Sequence, residues 1–314
     1  MENKLIWASF LQLSHNMWGD EGAADGTSSY SDTMILHEPT WRAVIDYLPT
    51  QGVNTLLIDL GDAIQYESHP EIAVKGAWSK DKMKQELDYI RSKGITPLPK
   101  LNFSTGHDAW LGIYQRMVST PTYYQVCEDL IKEIAELFGS PELFHLGMDE
   151  ENAEMQAAYS FVCYRQHDLW WHDLYYLFDV CDKVGVRPWV WADMHWALKD
   201  TYIRKMPKCA MQSNWWYRSL AKNPDGTFVD SRVDAYHALE KAGFDQIPTS
   251  STWATDTSMG DTVLMAHTDI APERLKGFMS CPWSGTKEQN LPKLLHDADV
   301  LGAARKLYES LPKR

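Results

Sequence analysis

The stretch ELFHLGMDEENAE, residues Glu142 to Glu154, decides the fold: Phe144, Leu146 and Met148 alternate with His145, Gly147 and Asp149 before three consecutive acids, Asp149, Glu150 and Glu151. Alternation with period two marks a strand. A strand that is apolar along its length and acidic at its last residues places carboxylates at the mouth of a parallel barrel. On this reading His145, Gly147 and Asp149 face the barrel axis, Leu146 and Met148 face outward, and Glu150 stands at the rim. A half-buried acid beside a second carboxylate has its pKa raised by desolvation and like charge, so adjacent acids can take unequal roles. The spacing equally fits a plainer reading, in which the three acids cap the helix that follows.

Outward from this stretch, strand and helix patterns alternate along the whole chain. LIWASFLQL, VNTLLIDLGD and ITPLPKLNFS read as the first three strands, and RPWVWADMHW, CAMQSNWWY, DQIPTSSTW and LKGFMSCPWSG as strands five to eight. Helices are expected over EPTWRAVIDYLPTQG, KDKMKQELDYIRSKG, TPTYYQVCEDLIKEIAELFG, HDLWWHDLYYLFDVCDKVG, SRVDAYHALEKAGF and the final LPKLLHDADVLGAARKLYESL. In the third of these, Thr120 as N-cap, Pro121 at the first helical position and Gly139 at the end agree on its limits. Eight strands close a (β/α)8 TIM barrel, an α/β fold, and no linker or repeat divides residues 1–314, so one catalytic domain is expected. The long polar stretches after strands one, two and six would rim its catalytic face.

Composition narrows the function. With 43 acidic against 30 basic residues the formal charge is −13, which would repel phosphate backbones, so nucleic acid is not an expected partner. No run approaches the roughly 20 apolar residues of a membrane span, so no membrane partner is expected either. Five cysteines, an odd number and never in a CxxC pair, read as mostly reduced core residues. The N-terminus lacks a signal peptide, which predicts a cytoplasmic protein, or a secreted or periplasmic one if a leader has been trimmed. Oligomeric state is not legible.

Strand five repeats the alternation, with Trp189, Trp191, Asp193 and His195 on one side and Val190, Ala192 and Met194 on the other. Trp215, Trp216, Trp253 and Trp283 fall near the ends of strands six to eight. Indole faces stack on the apolar C–H faces of sugars, so tryptophan walls with interspersed acids favour a carbohydrate pocket. Some of the 14 tryptophans must also fill the core. The strand-end histidines His15, His107, His145 and His195 raise a metal reading, but HExxH is absent and the surroundings are poor in ligands, so no metal and no cofactor is expected.

These residues resemble the family 20 glycoside hydrolases, the β-N-acetylhexosaminidases, and most of all their small single-barrel members of the hexosaminidase D kind. His145, Gly147, Asp149 and Glu150 match the family's HxGxDE signature at the end of strand four. PKLNFSTGH resembles its strand-three element, with Lys100, Asn102 and one extra residue departing from it. VWADM, NWWY and GFMSCPWSG resemble segments on strands five, six and eight. The resemblance implies substrate-assisted, retaining removal of terminal β-linked N-acetylhexosamine, in which the sugar's own acetamido oxygen is the nucleophile. It implies that Asp149 orients the acetamido group and that Glu150 acts as acid and then base. Trp191, Trp283 and Trp215 would enclose the methyl, Tyr217 would bind the carbonyl, and Asp193 and Trp253 belong to the expected binding set. His107 and His145 would orient the acids or be satisfied core residues. The chain departs from the family in lacking an Arg after strand one and in carrying Ser219 and Gly285 where acids are common. Those losses leave a glycan-binding barrel without turnover as one alternative, and the histidines and aspartates leave a metal-dependent hydrolase or isomerase as another.

Overall fold

The computed structural model describes residues 5–20, 30–157 and 159–314; part of the rim loop after strand one, residues 21–29, lies outside them. Eight parallel strands run in the order β6-β5-β4-β3-β2-β1-β8-β7. They are β1 (Ile6–Gln12), β2 (Thr55–Asp59), β3 (Thr96–Lys100), β4 (Leu143–His145), β5 (Arg187–Trp191), β6 (Met211–Ser213), β7 (Thr249–Ser250) and β8 (Gly277–Ser280). Closure between β6 and β7 comes from parallel bridges at Gln212–Gln246 and Trp215–Thr249, with Ile247 N donating to Gln212 O at 2.9 Å. The result is a (β/α)8 barrel.

Period-two alternation sorts its two cores. Ala8, Phe10, Leu57, Leu98, Leu143, Trp189 and Met279 fill the inside, while Trp7, Leu11, Leu56, Ile58, Phe144, Val190 and Phe278 face the helices. The surrounding helices are α1 (Glu38–Tyr47), α2 (Lys80–Ser92), α3 (Pro121–Leu137), α4 (Asp168–Lys183), α5 (Met194–Lys205), α6 (Asp234–Lys241), α7 (Ser258–Asp269) and α8 (Leu291–Ser310). α3 starts as the sequence implies, with the Thr120 hydroxyl accepting from Tyr123 N and Gly139 left-handed at φ 77° beyond its end.

Two expectations change. β5 stops at Trp191, and α5 begins at Met194, so Asp193 and His195 are not strand residues and their shared parity with Trp189 and Trp191 is lost. The turn closes through His195 N to Ala192 O (2.9 Å) and Trp196 N to Asp193 O (2.8 Å), and His195 packs edge-on against Tyr202. The next helix after β4 starts only at Asp168, so Asp149, Glu150 and Glu151 cap nothing. Of the cysteines, all free, Cys127, Cys181 and Cys281 are buried and Cys209 is exposed.

Candidate active site

β4 ends at His145, and the chain then leaves strand geometry in an unusual way: Gly147, Met148 and Glu150 all have left-handed φ, at 71°, 70° and 49°. Two of these are not glycine, a conformation costing about 1–3 kcal/mol each that persists only where neighbours hold it. Asn102, just past β3, is the main holder. Its Oδ1 accepts from Ser104 N (3.0 Å) and Met148 N (3.3 Å), and its Nδ2 donates to Asp149 Oδ1 (2.9 Å). Gly147 is required beside it, since a Cβ there would lie 1.9 Å from Asn102 Oδ1. Ser104 Oγ adds a bond to the Asp149 carbonyl, and Asp193 Oδ2 accepts from Glu150 N at 2.9 Å.

This turn aims two consecutive acids at one histidine. His107 Nε2 lies 3.3 Å from Asp149 Oδ2 and 3.2 Å from Glu150 Oε2, with Asp149 nearly buried and the Glu150 side chain 28% exposed. Burial alone would discharge His107, but the carboxylates of Asp149 and Glu150 overcome it and raise its pKa to about 10. Burial also works to raise Asp149, yet the His107 charge and hydrogen bond, helped by Lys100 and Asn102, bring it down to about 2. For Asp149 this is the opposite of the rise that burial beside a second carboxylate would give. Asp193 moves the other way, pushed up to about 8 by burial and then by the negative charge of Asp149.

The pair opens into a cleft of about 710 Å³ at the C-terminal end of the barrel. Of the sequence-derived set, His107, Asp149, Glu150, Trp191, Trp215, Tyr217, Trp253 and Trp283 line it. Trp191 and Trp283 meet at 6.2 Å between centroids, Trp215 stacks on Tyr217 at 4.9 Å, and Trp253 stands at the mouth, 59% exposed. The indole N–H groups of Trp191 and Trp283 are buried without a protein acceptor, so both can donate to an oxygen of a bound molecule.

His145 and Asp193 stand behind this wall. Burial, and then the Lys100 charge, hold His145 well below the ordinary histidine range. The neutral ring accepts from Gly147 N at 3.0 Å and packs against Trp191 at 4.5 Å, so it positions the turn and the wall. Asp193 links Glu150 N to the Trp215 indole, 3.4 Å from its other oxygen. Below them Lys100 and Asp59 form a fully buried pair at 2.6 Å inside the barrel. Of the four strand-end histidines, only His107 joins a group with metal-ligand spacing among the described residues: its nitrogen and single oxygens of Asp149 and Glu150 lie within 4.8 Å of one another.

Met17, Trp18, Met155, Trp216, Arg218 and Arg232 also line the cleft, and of these only Trp216 is expected from the sequence. Trp18 meets Trp283 and His107 edge-on at 6.3 and 6.4 Å, on the side where the expected arginine is missing. These residues sit on loops, where no periodicity marks them. Glu151 turns away from the cleft into a separate buried cluster with Arg165 and Asp173.

No family model and no curated protein matches the sequence. Solved structures do match by shape. A β-N-acetylhexosaminidase from Bacteroides fragilis aligns with TM-score 0.62 and 16% identity over 95% of this chain and 65% of its own. A GH20 exo-β-N-acetylglucosaminidase from Vibrio harveyi, in complex with N-acetylglucosamine, aligns at 0.63 and 15% over 94% and 54%. The chain has the fold of these hexosaminidase barrels. The N-acetyl-β-hexosaminidase of Streptomyces plicatus, in complex with Thio-NAglucal, aligns at 0.63 and 13% over 98% of this chain and 68% of that one. The chain therefore spans between about half and two-thirds of the length of these relatives.

Proposed function

We propose that the protein is a glycoside hydrolase that removes terminal β-linked N-acetylhexosamine with retention, using the substrate's acetamido group as nucleophile. The observation that carries this reading is the convergence of Asp149 and Glu150 on His107 Nε2 within an aromatic cleft. The names of the structural relatives, with N-acetylglucosamine bound in one, support it. Asp149 is committed on both oxygens, to Asn102 and to His107, and so is a poor covalent nucleophile but a fixed negative charge. Beside the acetamido N–H it would orient the group and stabilise the oxazolinium as the carbonyl oxygen bonds to the anomeric carbon. Glu150, partly exposed, would give its proton to the leaving oxygen as the glycosidic bond breaks. It would then take one from the water that opens the oxazolinium. Trp191 and Trp283 fit the role of walls around the acetamido methyl, and Tyr217 that of donor to its carbonyl.

The metal-ligand spacing of His107, Asp149 and Glu150 favours a second reading, a metal-assisted hydrolase. A cation there would displace the proton His107 holds between the acids. Hydrolysis of aryl β-N-acetylhexosaminides, before and after chelator treatment, and of aryl β-glucosides decides. Substrate-assisted catalysis predicts turnover of the first alone, insensitive to chelator. Comparable rates on glucosides overturn it, chelator loss restored by a divalent cation favours the metal, and binding without turnover favours a glycan-binding barrel.

A further inference from the structure

The cleft is electrostatically unlike the rest of this acidic chain. Among the described residues its only lining carboxylates are Asp149 and Glu150, and two arginines, Arg218 and Arg232, line it as well. Both belong to the segment that follows β6, but their surroundings differ. Arg232 is neutralised by Asp230, with Nε and Nη2 donating at 2.9 and 2.6 Å, and lies 4.4 Å from the Trp216 ring centroid. Arg218 is exposed and, among the described residues, is the one arginine with neither a hydrogen bond nor an ion pair. Its position is beside the stacked pair Trp215 and Tyr217, on the open side of the site.

The donor and acceptor inventory of the cleft narrows its ligand. A neutral sugar offers hydroxyl hydrogens, which carboxylates grip well, and beyond the two acids committed to chemistry the lining supplies none among the described residues. What it supplies is a guanidinium, five donors and no acceptor, in a planar fork that matches an oxyanion with two parallel hydrogen bonds. In a molecule with a formal charge of −13, an unpaired arginine in the cleft is placed against the prevailing field. We propose that Arg218 recognises an oxyanion carried by the substrate, so that the preferred substrates are acidic N-acetylhexosaminides. The charge is borne either as a sulfate or phosphate ester on the sugar or as the carboxylate of the adjoining sugar. This rests on the reading of the cleft as a hexosaminidase site and specifies its substrate class.

The test compares kcat/KM of the wild type, Arg218→Met and Arg218→Lys on aryl β-N-acetylglucosaminide with and without a 6-sulfate. A second arm uses N-acetylglucosamine β-linked to glucuronate or to glucose. The wild type should prefer the charged member of at least one pair by about tenfold or more, the worth of a charge-assisted contact. Arg218→Met should bring that ratio close to one, and Arg218→Lys should keep part of it. Which pair shows the effect locates the oxyanion. No preference in either pair, or a preference that survives Arg218→Met, overturns the proposal. Tryptophan-fluorescence titration of Glu150→Gln, with and without Arg218→Met, separates this from the hydrolase reading. Arg218-dependent binding of the charged sugar without wild-type turnover keeps the anion site and removes the hydrolase. Turnover of charged and neutral sugars alike does the reverse, and neither turnover nor Arg218-dependent binding overturns both.

Discussion

Glu150 and Glu151 are joined by one peptide bond and enter two ionic clusters that could hardly be built more differently. In the inner cluster every side-chain nitrogen and oxygen of Glu151, Arg165 and Asp173 has a partner. Arg165 donates to Glu151 from its backbone N (2.7 Å) and Nε (2.8 Å), to Asp173 from Nη1 (3.1 Å) and to the Phe103 carbonyl from Nη2 (2.8 Å). Asp173 also accepts from Ser119 and Tyr124, and Glu151 from Thr105 N. In the outer cluster His107 leaves Nδ1 without an acceptor, Glu150 is open to the cleft, and the backbone is left-handed at Met148 and Glu150. The chemistry is the same, an acid, a cation and an acid. The difference teaches that saturation marks structure, because a buried charge with all its bonds made has nothing left to offer a ligand. Unmet valences beside an opening mark a site that a substrate completes.

The sharpest way to break this contrast is to neutralise the acids of the outer cluster. In the proposed mechanism Glu150→Gln removes the proton donor, so kcat/KM should fall furthest, up to ~10⁴-fold, for poor leaving groups and be partly spared for activated aryl groups. Asp149→Asn removes a fixed charge that in the same mechanism acts whatever departs, so its loss of ~10²- to 10⁴-fold should vary little across the series. A steeper leaving-group dependence for Asp149→Asn, or full activity in either variant, would show the roles to be misassigned.

How far the sequence reveals this depends on the period of each element. β1, β2, α1 to α4 and α8 follow from alternation, apolar stripes and end signals. α5 does not, because it is kinked at Lys199 and buries only His195 and Tyr202, leaving no stripe to read. α7 hides behind Ser, Thr, Gly and Asp, although Met259, Thr262, Val263 and Ala266 are buried at helical spacing and carried the signal. The acids and aromatic walls are legible because strand ends must converge on the barrel mouth. The loop residues Trp18 and Arg218 are not, and Asn102, visible only as a departure from a family motif, proves to hold the turn after β4.

The second test addresses the saturated cluster. Arg165→Met leaves Glu151 and Asp173 buried with no cation between them, and breaking a buried pair in this way costs about 3–5 kcal/mol. Urea unfolding should show that loss, while kcat per folded molecule changes far less than in Glu150→Gln. A stability change below about 1 kcal/mol would place this cluster in the range of exposed ion pairs and remove its structural role.

The smallest effect concerns Asp193, which belongs to the outer cluster without lining the cleft. Its pKa is raised to about 8 by burial and the Asp149 charge, so the folded protein keeps a proton there that the unfolded chain releases near its ordinary value of 3.8. A raised folded pKa contributes stability that is fully present below the unfolded value and is lost as pH rises through the folded one. The window for Asp193 therefore runs from about pH 4 to about pH 8. Asp193→Asn keeps a neutral side chain whose oxygen can still accept from Glu150 N, and it has no proton to lose. Between pH 5 and 8 the wild type should thus lose stability relative to this variant by on the order of 1–2 kcal/mol. That is less than the full one-proton slope of about 1.4 kcal/mol per pH unit, because water reaching the cleft relaxes the burial. Urea midpoints for both proteins at pH 5, 6.5 and 8 give the difference directly. Parallel curves would mean that Asp193 is already ionised in the folded protein, and that the outer cluster carries one more negative charge than its geometry implies.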